Sequence, residues 1–155
     1  LPCAALPRRR YGRPRANSGG KCARTASSSL IDRSEDFETF SFLNMMPQTH
    51  GLNAGPWYRL EHEIKDFVTE NSSNQVFVTA GPIFRNNSRR IGDGVMVPDY
   101  TWKGVVFISG NKIVGTVFVI MPQDSTLSQP WRMYQVKREQ LESMLGFKLF
   151  AGLLP

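Results

Sequence analysis

Apolar residues are spaced in two ways along this chain. Between residues 57 and 68 they recur at helical intervals, with Leu60, Ile64, Phe67 and Val68 at i, i+4, i+7 and i+8 on one stripe. Pro56 suits the first turn of that helix, where its missing N–H costs nothing, and Asn53 and Gly55 fall in the loop that leads into it. Residues 71–74 (NSSN) close the helix and turn the chain. Elsewhere the apolar residues come in short β-branched runs. Residues 75–80 (QVFVTA) read as a buried strand ended by Gly81-Pro82. Residues 102–108 and 113–121 read as two strands of a hairpin joined by the loop SGNK, with Gly110-Asn111 at its centre. Residues 37–43 (FETFSFL) predict a short strand with imperfect alternation, and residues 95–98 a brief extended piece. Residues 136–145 predict a second helix, stopped by Gly146. Three or four strands and two helices give an α/β chain of the α+β type. Its sheet should be mostly antiparallel, because the clearest connection is a hairpin.

Composition divides the chain. Its 155 residues suffice for one domain with a real core, and 41% hydrophobic residues with 10 Phe fit a globular class. The formal charge of +6 is uneven: residues 1–33 carry +7 and the remainder −1. Residues 1–31 are rich in Arg, Gly, Ser and Pro without hydrophobic period, which predicts disorder, or a basic arm able to bind nucleic acid. The chain therefore reads as a basic, non-homologous segment at 1–35 and a folded domain at 36–155. No apolar run approaches the ~18 residues of a membrane span, so no membrane partner is expected. The opening LPCAALP lacks the basic flank and length of a signal core. A first residue of Leu suggests a fragment or a processed product. Spacing leaves open whether Cys3 and Cys22 pair, and without a Cys/His cluster a structural zinc site is not expected.

Candidate chemistry concentrates in residues 44–65. An amide ahead of a helix (Asn53), a carboxylate two turns on (Glu61) and a cation one turn beyond (Lys65) can hold a hydrated metal and a phosphate. By themselves these residues have ordinary roles: a helix cap for Asn53, and an i, i+4 pair for Glu61 and Lys65. Trp57 and Trp102 suit a core or its rim. Arg85, Arg89 and Arg90 suit a solvated loop or a nucleic-acid backbone.

Taken together, NMMPQ, LNAGPWYRLE, VFVTAGPIF, IGDGVMVPDYTWKGVV and VFVIMP resemble the DNA/RNA non-specific endonucleases, which include secreted bacterial nucleases and mitochondrial endonuclease G. The resemblance covers residues 38–150 and implies the ββα-metal (His-Me finger) nuclease fold, incomplete at its N-terminal side. It implies Asn53 as the one protein ligand of Mg2+ or another divalent cation, and Glu61 as the catalytic carboxylate that organises the metal's waters. Asn44, supporting the active-site loop, Arg59 and Lys65 are the expected contacts to the DNA or RNA backbone. A homodimer, and a secreted, periplasmic or mitochondrial location, are further expectations from the relatives.

One departure stands out. The resemblance implies a general-base His in an Asp-Arg-Gly-His motif on the strand side of the ββα unit, and this chain has none; Asp32-Arg33-Ser34-Glu35 copies two letters. Its two histidines, His50 and His62, do not match that position. A truncated or frame-shifted nuclease reading frame would give this pattern. Three readings follow: a weak or inactive metal-dependent endonuclease, a non-catalytic nucleic-acid binder, or a remnant without function of its own.

Overall fold

The computed structural model describes residues 20–24 and 45–154. Strand β1 (Gly20–Arg24) pairs antiparallel with β2 (Met45–Thr49), Gly20 opposite Thr49 and Arg24 opposite Met45. After β2 come a helical turn (His50–Leu52) and the segment Asn53–Trp57, kinked at Gly55, which leads into helix α1 (Tyr58–Glu70). Then come β3 (Asn74–Ile83), a small ribbon of β4 (Arg90–Ile91) and β5 (Val95–Met96), and the hairpin of β6 (Tyr100–Ser109) and β7 (Lys112–Pro122). A 3-10 turn (Trp131–Tyr134) and helix α2 (Arg138–Leu145) complete the described chain. Strands β3, β6 and β7 form one antiparallel sheet in the order β3-β6-β7.

The sheet is filled on both faces, because successive residues of a strand point to opposite sides. On one face Val105, Val119 and Met121 meet Leu52, Trp57, Leu60 and Ile64, with Trp131 closing the margin. Leu60 and Ile64 are buried as the stripe requires, each contributing about 1.5–3 kcal/mol by leaving water. Phe67 is half-buried, edge-on to Phe107 at 5.0 Å. On the other face Trp102 and Phe118 meet Leu141 of α2 and Leu149. The buried Glu142 carboxylate holds that C-terminal segment, accepting from the Leu149 N–H at 2.8 Å and Lys148 Nζ at 3.0 Å. These bonds, the backbone one foremost, keep its carboxyl below the usual range.

Several expected boundaries move. Strand β3 runs on through Gly81 and Pro82 to Ile83. Within the sheet it pairs with β6 alone, and an outer strand tolerates proline's missing donor. Gly81 is required there for space, since a Cβ would lie 2.9 Å from the Trp102 indole nitrogen. The hairpin loop shortens to Gly110-Asn111, with Gly110 at φ +59°. Helix α2 starts two residues later than expected because the Val136 N–H bonds to the Phe118 carbonyl beside β7. Gly146 ends it in the left-handed conformation, φ +77°. β1 lies inside the stretch expected to lack regular structure. Its pairing partner is distant in sequence, which local patterning does not disclose. The rest of that stretch, and the strand expected at 37–43, lie outside the described residues. No helix of the described residues is long and apolar enough to cross a membrane.

Candidate functional site

The site is built where β2 turns into α1. Thr49 at the end of β2 is tied to the segment after β7: its N–H bonds Gln123 Oε1 at 2.9 Å and its hydroxyl donates to the Asp124 carbonyl at 2.8 Å. Gln123 returns a bond from Nε2 to the Pro47 carbonyl at 2.8 Å. Gly51 then passes so close to Ser125 that a Cβ would fall 2.1 Å from its carbonyl oxygen. Gly51→Ala is therefore expected to cost about 1–3 kcal/mol, because one backbone or the other must shift. Urea denaturation checks this, and an unchanged midpoint would show that the two segments part freely.

The turn itself departs from the expected loop. Pro56 disfavours the helical conformation for the residue before it, and Gly55 there sits at φ −100°, ψ −117°, a non-helical conformation that kinks the segment. Asn53 lies ahead of this kink and Trp57 beyond it. Asn53 is half-buried, and its side-chain amide makes no hydrogen bond among the described residues. Pro56 and Trp57 are buried beneath it.

Glu61 follows Trp57 by one turn. Its Oε1 accepts from Lys103 Nζ of β6 at 2.9 Å. The Lys103 side chain is 2% exposed and lies over the Trp57 ring, 4.0 Å from its centroid, while Glu61 is 31% exposed. Burial holds the Lys103 amine below the usual lysine range, with the Glu61 charge and hydrogen bond opposing that shift. The helix is pinned on its far side as well. Glu63 accepts from Trp131 Nε1 at 2.8 Å and takes a two-pronged bond from Arg132 at 3.0 and 2.9 Å. Asn74 Nδ2 caps the C-terminal end through the Phe67 carbonyl at 2.7 Å. Glu61 thus stands on a helix fixed at both flanks and at its end.

The sequence profile of the DNA/RNA non-specific endonucleases matches residues 23–155. The chain belongs to this family. The match begins upstream of the boundary at 36 expected from composition, and takes in the end of β1. A nuclease from Nostoc sp. is 31% identical over 92% of this chain and 55% of the relative. A nuclease from Serratia marcescens is 24% identical over 76% of this chain and 46% of the relative. Mitochondrial nuclease EXOG from Xenopus laevis is 28% identical over 75% of this chain and 36% of the relative. The chain thus spans about half the length, or less, of these curated relatives. Among solved structures, EndoG in complex with its inhibitor EndoGI superposes with a TM-score of 0.69 at 26% identity, over 89% of this chain and 61% of that one. The fold is that of the ββα-metal nucleases, and in this chain the antiparallel pair β1 and β2 precedes the helical turn that begins at His50.

In this member of the family, Asn53 lies ahead of the kink at Gly55, and Glu61 lies beyond it in the first turn of α1. Lys65 is exposed one turn beyond Glu61. Arg59 is also exposed, but two residues before Glu61 and so on the opposite side of the helix. Asn44 lies outside the described residues. His50 is exposed. His62 is exposed and bonded through Nε2 to the Tyr58 hydroxyl at 2.5 Å. Arg85 donates to the Tyr100 hydroxyl at 2.8 Å and Arg90 to the Gly94 carbonyl at 2.9 Å, both within their own loop region. Arg89 shares a recess with Asp99 and Asp124, whose hydrogen bonds to Ser88 and Thr126 hold both carboxyls below their usual range. Two persistent negative charges beside it make a poor phosphate cradle.

Lys103 is the residue that sequence reasoning missed. The signal was present: in WKGVVFI it shares the phase of Val105 and Phe107, so a lone cation faced the buried side of a core strand. Such a charge requires a partner, and Glu61 at the margin of the helix stripe was available.

Proposed function

We propose that this chain is a divalent-metal-dependent nuclease acting on the phosphodiester backbone of DNA and RNA with little sequence preference, and that its own activity is low. The observation that carries the reading is Glu61 in the first turn of α1, bonded to the buried Lys103, with Asn53 just ahead of the kink that leads into that helix. The donor set agrees with a hard cation. Asn53 offers an amide oxygen, Glu61 keeps Oε2 without a partner among the described residues, and those residues contain no group of three or more His, Cys, Asp or Glu suited to a metal cage. A site so sparse in protein ligands fits an ion that keeps most of its water, as magnesium does. When bound, such an ion neutralises phosphate charge and stabilises the leaving oxygen. Asn53 would hold it directly and Glu61 would accept from its waters. Lys65 stands within reach of a phosphate one turn on, whereas Arg59 could meet only backbone lying around the far side of α1.

Low activity follows from the missing base. Strand β1 reads GKCAR and carries no histidine. Nicking of supercoiled plasmid by the chain should be slow, require magnesium and stop with EDTA. Asn53→Ala should reduce it by about tenfold or more, as loss of a metal contact does. Nicking that persists in EDTA, or is indifferent to Asn53→Ala, would refute the metal role.

A further inference from the structure

We propose that Lys103 is a positioning residue for this metal site. From beneath the helix it engages Glu61 Oε1 and so leaves Oε2 as the oxygen available to the waters of a cation at Asn53. The inference rests on the reading of Asn53 and Glu61 given above.

Three observations support it. The Lys103 amine has one carboxylate partner among the described residues, at 2.9 Å, and its side chain is almost fully buried. It cannot swing away, because the Trp57 ring lies 4.0 Å from Nζ and β6 is the central strand of the sheet, paired on both sides. Trp57 ends the kinked segment that Asn53 begins, and its ring packs against the amine that bonds Glu61. The buried cation is thus tied to Glu61 by a bond and to the Asn53 segment through Trp57. Glu61 alone, 31% exposed on a helix, would sample several rotamers; the bond to a fixed ammonium selects one. A partner of this kind orients the group that meets the metal's shell, and its loss typically lowers metal affinity about 10–100-fold.

The test uses the full chain and Mn2+ as the probe, with bound ion counted by the loss of the free-ion electron paramagnetic resonance signal. The unmodified chain should bind Mn2+, and Asn53→Ala should abolish it. Lys103→Met should weaken binding at least about tenfold while near-ultraviolet circular dichroism of the buried tryptophans is unchanged. Because Lys103 acts through Glu61, Lys103→Met/Glu61→Gln should bind no more weakly than the weaker single variant. That double variant leaves no buried charge unpaired, and it supplies the comparison if one single variant fails to fold. Binding by Lys103→Met within about twofold of the unmodified chain, where Asn53→Ala has lost it, overturns the positioning role alone. Full multiplication of the two single losses in the double variant does the same. Mn2+ binding that survives Asn53→Ala overturns the metal-site reading and this inference with it.

Discussion

Glu61→Ala is expected to cost about 3–5 kcal/mol of folding stability, while Lys103→Met costs about 1 kcal/mol or less, although both break the same ion pair. The asymmetry comes from where each charge is left. Without Glu61, the ammonium remains buried, and among the described residues only the Trp57 ring lies against it. Without Lys103, a carboxylate already 31% exposed turns to water, and a methionine of similar length fills the space against Trp57. The larger loss should also depend on pH. Lys103 sits below the ordinary lysine value in the folded protein, mainly through burial, and Glu61 works against that shift. Removing Glu61 lowers the folded-state value further, so the unfolded chain holds this proton over a wider range than the folded one. Stability then rises with pH across that range. The deficit of Glu61→Ala should be complete below the variant's folded-state value and shrink as pH climbs toward the lysine range. Urea denaturation at about pH 6 and about pH 9 measures it, where carboxylates do not titrate. Equal deficits at the two pH values, or a Lys103→Met loss as large as that of Glu61→Ala, would show that the buried charge is not what destabilises.

The parts of the fold legible in the sequence are those whose cause is local. The stripe of Leu60 and Ile64 fixes which face of α1 is buried, and the apolar runs of β6 and β7 on either side of Gly110-Asn111 fix the hairpin. Gly146 marks the end of α2 because its positive φ is a local requirement. What stayed hidden depends on partners distant in the chain. β1 exists through β2, and the run of β3 past Gly81-Pro82 exists because β6 continues alongside to Tyr100. The short helical turn before Gly55 follows from β2 and Thr49, whose hydroxyl accepts from the Leu52 N–H, while Pro56 and Gly55 mark the kink that separates it from α1. For the proposed site, the resemblance and spacing point to Asn53 and Glu61 but not to Lys103, because a helix read by itself offers Lys65 as the i, i+4 partner of Glu61. Desolvation decides between them: Lys65 is exposed and already satisfied by water, whereas Lys103 is buried and must have the carboxylate.

Placing a histidine in β1 should raise Mg2+-dependent plasmid nicking by about 10²–10⁴-fold, the usual contribution of a general base. Its location follows from the fold. β1 pairs with β2, which leads directly into the turn before Asn53. Its register sets Lys21 opposite Gln48 and Cys22 opposite Pro47, within a few residues of that turn. Side chains alternate in direction along a strand, so Lys21→His and Cys22→His are tested side by side. One of the two variants should gain activity and the other should stay at the level of the unmodified chain. The gain should vanish with Asn53→Ala, because a base that deprotonates water still needs the metal side of the site to stabilise the leaving oxygen. It should also fall away as pH drops below about 6.5, where a protonated imidazole can no longer accept. His50 is the rival. It begins the helical turn directly after β2 and is exposed, free to approach a bound backbone. If the unmodified chain already nicks plasmid briskly and His50→Ala removes that activity, the base has been supplied from the turn, and neither substitution in β1 should add to it.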